Sequence, residues 1–210
     1  MAARCYLQRK GFGWVEDPTA EIAETRRLAH RAIDLGRHDA VCLAHAGSAL
    51  VVVAGDLDEG AALLDQALAL NRNLAWVWHF SGVAKVYLGE PETAIEQSER
   101  AMRLSPQDPH TFAMEMVVGQ AHLSLGNYAI ASDWAESALR RRPDFLIGAC
   151  TAAAAAALAG RPEIAARAMA RVRTLAPELC FSRLRGFLPF RRAEHFERWA
   201  AGMRLAGLPE

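Results

Sequence analysis

Four glycines recur at a nearly constant distance along this chain of 210 residues. They are spaced 34, 37 and 34 residues apart, at Gly55, Gly89, Gly126 and Gly160. The same spacing recurs in two further sets, Ala67, Ala101, Ala138 and Val172, and Pro106, Pro143 and Pro177. A period of this length is typical of repeat architectures, in which a single unit cannot bury its apolar face and neighbouring units stack. The spacing therefore limits the chain to a stack of similar units.

Each unit carries the pattern of two helices, seen best in residues 75–108. An apolar run that begins at Ala75 is closed by Gly89, because glycine readily adopts the left-handed conformation that follows many helix ends. Pro91 then stands where a first helical turn accepts proline. The second helix has one apolar stripe and ends at Ser105, since the residue before a proline disfavours helix. The pattern predicts an all-α chain of helix pairs.

This period and its residues resemble the tetratricopeptide repeat (TPR). In residues 75–108 the matching positions are Trp78, Gly82, Ala94, Ala101 and Pro106. The resemblance implies repeats at 6–39, 41–74, 75–108, 112–145 and 146–179. It also implies a right-handed superhelix of about five helix pairs. We expect residues 1–210 to form a single array that ends in a capping segment, 180–210, with a helix over roughly Ala193 to Leu205.

One position of each repeat is occupied by a small residue. These residues are Gly13, Ser48, Gly82, Gly119 and Ala153. Because the distance between packed helices depends on the side chains at the contact, small residues here predict close approach within each pair.

Two segments support a second, narrower resemblance. They are RGFLPFRR at 185–192, followed by the terminal GMRLAGLPE at 202–210, and GEPETAIEQSERAMRLSPQDP at 89–109. Together they look like the C-terminal TPR arrays of bacterial proteins with an N-terminal class III adenylate/guanylate cyclase domain. This resemblance implies a regulatory or partner-sensing module. No cyclase catalytic segment is present, so it implies no cyclase activity. Winged-helix transcription regulators carry similar arrays, so the resemblance leaves the identity of the attached domain undecided.

Composition argues against several partners. Lys plus Arg and Asp plus Glu both number 24, and nucleic-acid-binding domains usually carry a basic excess, so we expect no nucleic-acid partner. The uncharged, alanine-rich stretch from Leu146 to Gly160 is too short to span a bilayer, so we expect no membrane insertion. No secretory signal is apparent, and the four cysteines are widely separated. We therefore expect free thiols and a cytoplasmic location.

Catalytic motifs are also missing from the sequence. It has no G-x-S-x-G and no H-E-x-x-H, and the glycines at 11–13 lack the context of a phosphate-binding loop. One alternative is a zinc site, because His38, Cys42 and His45 are spaced 4 and 3 residues apart and would share one face of a helix. Three loosely placed ligands are weak support for it. The sequence therefore predicts a protein that is not an enzyme and has no metal or other cofactor.

The TPR resemblance implies that the first helices line a concave groove in which a protein or peptide partner binds. The implied partner-binding residues are Cys42, His45, Ala49, Val52, Trp76, His79, Val83, Val86, Met116, Gln120 and Leu123. The set lacks the Lys, Arg and Asn that clamp a carboxylate in the best-known TPR peptide pockets. We therefore expect an apolar helix or an extended apolar peptide as the partner.

A different function is suggested by the N-terminal residues. We expect a first helix that begins close to Met1 and carries Tyr6, Leu7, Phe12 and Trp14, with no polar capping helix before it. Either another molecule covers this face or the natural chain is longer. An exposed apolar patch is a candidate interface. The alternative function is thus homo-oligomerisation, with a possible homodimer formed through these residues.

Overall fold

The computed structural model describes residues 2–11 and 14–210 and contains eleven α-helices in that part of the chain. They are α1 (Ala2–Gly11), α2 (Pro18–Gly36), α3 (Ala40–Ala49), α4 (Leu57–Leu70), α5 (Ala75–Leu88), α6 (Pro91–Leu104), α7 (Thr111–Ser124), α8 (Tyr128–Arg141), α9 (Leu146–Leu158), α10 (Pro162–Leu175) and α11 (Ala193–Leu205). A π-helical segment, Leu50–Ala54, continues α3, and a 3₁₀-helix, Phe181–Gly186, precedes α11. The described residues contain no β-strand. The predicted all-α class is confirmed.

The periodic glycines end the first helix of four successive pairs. They are Gly55, Gly89, Gly126 and Gly160, with φ angles of 75°, 88°, 82° and 68°. Only glycine adopts this left-handed region without a steric penalty from a side chain. The backbone at each helix end therefore explains why glycine keeps the period of the repeat.

Consecutive helices pack in pairs, α3 with α4, α5 with α6, α7 with α8, and α9 with α10. The second helix of each pair also packs against the first helix of the next pair. The first helices α3, α5, α7 and α9 contact one another in turn, and the side of the solenoid that they form is called the inner side below. Together with α1 and α2, these helices make up the predicted solenoid of five pairs.

Small residues set the spacing within the pairs. In the second pair, a methyl group added to Gly60 would lie 2.6 Å from Val51 Cγ2 and 2.8 Å from the carbonyl oxygen of Gly47. In the fourth pair, a methyl group added to Gly119 would meet its first neighbour only at 3.3 Å. The small residue predicted for the second pair is Ser48. Ser48 is buried, but the closest backbone approach lies one residue earlier, at Gly47.

The C-terminal helix α11 is present over the predicted residues. It packs mainly against the inner helix α9 and also contacts α7, whereas a cap would cover the outer face of the last pair. Its buried apolar face includes Trp199 and Met203. Gly202 permits the close contact, because a Cβ there would lie 2.6 Å from the carbonyl oxygen of Ala154. The helix predicted as a cap therefore covers part of the inner side.

Candidate functional site

The predicted groove residues fall into two groups according to their exposure. The half-buried group consists of Cys42, His45, Val52 and Trp76. The buried group consists of Ala49, His79, Val83, Val86, Met116, Gln120 and Leu123. A buried side chain cannot contact a partner, so in this conformation the second group belongs to the core. Only the half-buried group is accessible in this conformation, and the binding role of the eleven residues stays a prediction.

The half-buried group and Phe80 form a surface over α3 and α5, called the open surface below. The ring of His45 stacks on Trp76, with centroids 4.7 Å apart and an interplanar angle of 25°. Trp76 meets Phe80 edge to face at 6.3 Å, since residues four apart share one face of a helix. These contacts hold three rings in place while each remains partly exposed.

Three aromatic residues were missed by the sequence analysis. Phe80 follows Trp76 by one helical turn, a spacing that could have identified it. Phe112 and Phe145, at the start of α7 and just before α9, meet edge to face at 5.0 Å. The guanidinium group of Arg142 lies 5.8 Å from the centre of the Phe112 ring. Both phenylalanines are half-buried, so they form a second aromatic group near the ends of the inner helices.

The residues before α11 run across the end of α5 toward the second helix pair. The backbone N–H of Arg191 donates to the carbonyl oxygen of Tyr87 at 2.8 Å, and the Phe190 ring meets Tyr87 edge to face at 5.6 Å. The guanidinium group of Arg191 donates to both carboxylate oxygens of Asp58, at 2.9 and 2.6 Å. The C-terminal part of the chain thus reaches α4, 133 positions earlier in the sequence.

From that point α11 returns over α7 and α9. The side chain of Arg198 donates to the carbonyl oxygen of Ser124 at the end of α7. Phe187 stacks on Trp199, which is fully buried, with centroids 6.3 Å apart. Residues 187–205 are called the tail below. Its apolar side chains and the buried apolar residues of the inner side belong to one continuous apolar cluster, so the tail occupies the groove over α7 and α9.

Burial changes the chemistry of one predicted groove residue, His79. Desolvation lowers the pKa of its imidazole to about 4, and the nearby His110 contributes in the same direction. The equivalent residue of the preceding repeat, His45, is half-buried and stacks on Trp76. The two histidines therefore have different environments, and His79 is neutral at physiological pH.

The predicted N-terminal interface is only partly within the described residues, because Phe12 and the repeat glycine Gly13 lie outside them. Tyr6 and Leu7 are half-buried on α1, which packs against α2, α3 and the π-helical segment. Trp14 is 62% exposed. The exposed apolar surface that the structure assigns to this candidate interface is therefore mostly that of one tryptophan.

Within residues 2–11 and 14–210, no group of three or more His, Cys, Asp or Glu side chains is placed to hold a metal ion. In the same ranges no helix combines the length and the apolar character that crossing a membrane requires. All four cysteines are free thiols, and burial raises the pKa of Cys150 to about 12.

Stacked helix pairs with a continuous inner side define the class of TPR solenoids. The sequence itself matches no protein-family model and no curated protein. The chain is similar in structure, however, to solved TPR proteins.

Three of these solved structures are PilW, MamA and YrrB. PilW, a type IV pilus biogenesis factor, has a TM-score of 0.66 and 14% identity, over 88% of this chain and 82% of PilW. MamA has a TM-score of 0.58 and 16% identity, over 76% of this chain and 91% of MamA. YrrB, described as a TPR protein with an unusual peptide-binding site, has a TM-score of 0.54 and 19% identity, over 85% of this chain and 94% of YrrB. At these identities the likeness establishes the TPR solenoid fold.

Proposed function

We propose that the chain is a non-enzymatic interaction module whose open surface binds an apolar helix or extended peptide of a partner protein. The proposal depends on one observation, the partly exposed group of His45, Trp76 and Phe80 on α3 and α5. Large aromatic side chains contribute much of the binding energy at protein interfaces. The fold shared with TPR proteins, one of which has a peptide-binding site, supports this class of function.

The chemistry of the open surface favours an apolar partner. Its five residues, Cys42, His45, Val52, Trp76 and Phe80, include no Lys, Arg or Asn that could clamp a carboxylate. The three rings are held by one another, so little side-chain freedom is lost when a partner binds. An apolar segment with one side chain that packs against Trp76 fits this surface better than an acidic tail.

A peptide-display selection against the full chain tests the proposal. A selected peptide should bind the Trp76→Ala variant at least about 30-fold more weakly than the unchanged chain, because a central tryptophan contributes about 2 kcal/mol or more at an interface. Titration calorimetry measures the two dissociation constants. Circular dichroism checks that the variant keeps its helix content.

Trp78 provides a matched control on the same helix. Its indole N–H donates to the carbonyl oxygen of Arg72 at 2.9 Å, and Arg100 covers its ring at 4.4 Å. Trp78→Ala should therefore affect stability and leave the affinity for the peptide unchanged, at a temperature where both variants are folded. Equal losses of affinity in both variants, or none in Trp76→Ala, would contradict the proposal.

A second candidate function is homo-oligomerisation through the N-terminal residues, favoured by the 62% exposure of Trp14. Tryptophan is enriched at protein interfaces relative to the rest of the surface. Light scattering over a concentration series should then give a dimer that Trp14→Ser converts to a monomer. A monomer at every concentration would exclude this function for the 210-residue chain.

Two finer predictions from the sequence concern the setting of the module. One is the resemblance to cyclase-associated arrays, and the other is a cytoplasmic location. The fold is compatible with both, but the structural neighbours give neither any support. Both stay predictions.

A further inference from the structure

Buried polar atoms without a hydrogen-bond partner occur on both sides of the contact between the tail and the inner helices. Among the described residues, they include Gln120 Nε2 and Ser124 Oγ on α7, a helix that α11 contacts. In the tail they include His195 Nδ1 and Trp199 Nε1. Buried polar groups are normally paired, and an unpaired one is destabilising. The tail therefore fills the groove by apolar contact and leaves polar groups of both surfaces unsatisfied.

The helix pairs have their own contacts without the tail. Each pair packs internally and against the next pair, and such nearest-neighbour contacts are what hold a solenoid together. The polar attachments of the tail are few and mostly near solvent. In the pair of Arg191 and Asp58, the side chains are 45% and 82% exposed. An array from which the tail has detached thus keeps the contacts that fold it.

We propose that the tail is an internal ligand, which leaves the groove over α7 and α9 while the five helix pairs stay folded. The groove then binds a helix of the same chemistry from a partner protein. In the tail, Phe196, Trp199 and Met203 follow one another at 3 and 4 residues and so share one helix face. Gly202 lies at the closest contact with α9. The partner is therefore an amphipathic helix with a large aromatic residue and a small residue three positions later.

This inference does not depend on the proposed function, because it concerns a different stretch of the inner side. The open surface lies around His45 and Trp76 on α3 and α5, whereas α11 lies over α7 and α9, and the residues before it contact only the far end of α5, at Tyr87. Substitutions at Trp76 test the first, and the experiments below test the second. Either proposal can therefore be refuted while the other stands.

Hydrogen exchange of the full, unchanged chain tests whether the tail detaches. Amides of α11 should exchange at least about tenfold faster than amides in the middle of α7 and α9, because local opening needs less free energy than unfolding of the array. If the amides of α11 exchange only as fast as the slowest amides of α7 and α9, the tail opens only with global unfolding. That result would overturn the proposal.

A labelled peptide tests whether the groove accepts a second helix. The probe is a fluorescein-labelled synthetic peptide of residues 187–205, titrated into the full chain and into the Gly202→Leu variant. A leucine at 202 collides with the backbone of Ala154 and weakens docking of the chain's own tail without altering the groove. The peptide should bind this variant at least about tenfold more tightly, since more of the groove is unoccupied.

Ala201→Leu is the matched control, because Ala201 is exposed on the same helix. Equal affinity of the peptide for all three chains would overturn the proposal. If Gly202→Leu loses its helix content, Arg191→Glu takes its place, since it repels Asp58 outside the groove. The peptide should then bind at least about threefold more tightly than to the unchanged chain, because an exposed ion pair contributes less than a buried contact, and the exposed Arg183→Glu serves as control. A Gly202→Leu dimer that excludes the peptide would make a second copy the occupant and overturn the assignment to a foreign helix.

Discussion

Replacing Gly60 by alanine should destabilise the protein, although alanine is the better helix former. Gly60 lies in the first turns of α4, where α4 meets α3. Two opposing terms decide the outcome. Alanine in a helix is favoured over glycine by roughly 0.5–1 kcal/mol. The opposing term is the steric cost of fitting an additional methyl group between α3 and α4.

The structure gives the size of the second term. The methyl carbon would lie 2.6 Å from Val51 Cγ2, 2.8 Å from the Gly47 carbonyl oxygen and 3.0 Å from the Val51 nitrogen, whereas ordinary contacts are 3.4–4 Å. Two of these atoms belong to the backbone, so α3 and α4 must move apart by several tenths of an ångström. Overpacking of this kind typically costs about 1–3 kcal/mol. The net loss of stability for Gly60→Ala is therefore about 1–2 kcal/mol.

Urea unfolding followed by circular dichroism measures this loss. Gly119→Ala is the matched control, because its new methyl group would meet neighbours only at 3.3, 3.4 and 3.5 Å. In that variant the helix preference dominates, and stability should stay equal or rise by about 0.5 kcal/mol. The two variants should thus differ in midpoint by about 1 M urea, for an m-value of about 2 kcal/mol/M. A midpoint for Gly60→Ala at or above that of the unchanged chain would refute the steric argument.

Two further predictions concern buried polar groups. His79 has a folded-state pKa of about 4, below its unfolded value of 6.5, so only the unfolded chain gains this proton as the pH falls from 6.5 to 4. The free energy of unfolding should fall over that window by up to about 3 kcal/mol. His79→Leu should remove this part of the pH dependence of the urea midpoint. If the urea midpoint of the variant changes with pH as steeply as that of the unchanged chain, the burial argument is contradicted. Arg141→Ala should lower stability by about 2 kcal/mol in thermal unfolding, because it leaves the buried carboxylate of Glu115 with only Ser137 as a partner. Adding Glu115→Leu should restore most of the loss, and a double variant no more stable than Arg141→Ala would exclude that explanation.

The repeat and its helix pairs could be predicted from the sequence because local backbone geometry determines the residue at particular positions. A left-handed residue at Gly89 or Gly126 has to be glycine, so the period is visible without any knowledge of the tertiary contacts. Proline at the start of α6 and α10 is also determined by local geometry, because the first turn of a helix needs no backbone N–H from that residue. These residues report on helix ends, and helix ends define the pairs.

The division of the groove into open and covered parts could not be predicted in this way. The apolar face of α11 suits a cap on α10 as well as a position in the groove, because an apolar stripe shows only that one side is buried. The choice depends on the fit of Gly202 against Ala154, residues that are 48 positions apart in the sequence. That fit is a long-range property of the folded chain, which no local pattern in the sequence reports.

The contact between Arg191 and Asp58 has a consequence for how the chain folds. In most solenoids all contacts are between near neighbours in sequence, so the mean sequence separation of contacts is low and folding propagates from one repeat to the next. Here a bidentate ion pair joins residues 133 positions apart. Closing so long a loop in an unfolded chain has a large entropic cost, which becomes small once the intervening repeats are ordered. The C-terminal residues therefore dock last, and refolding should show a final phase that reports on their arrival.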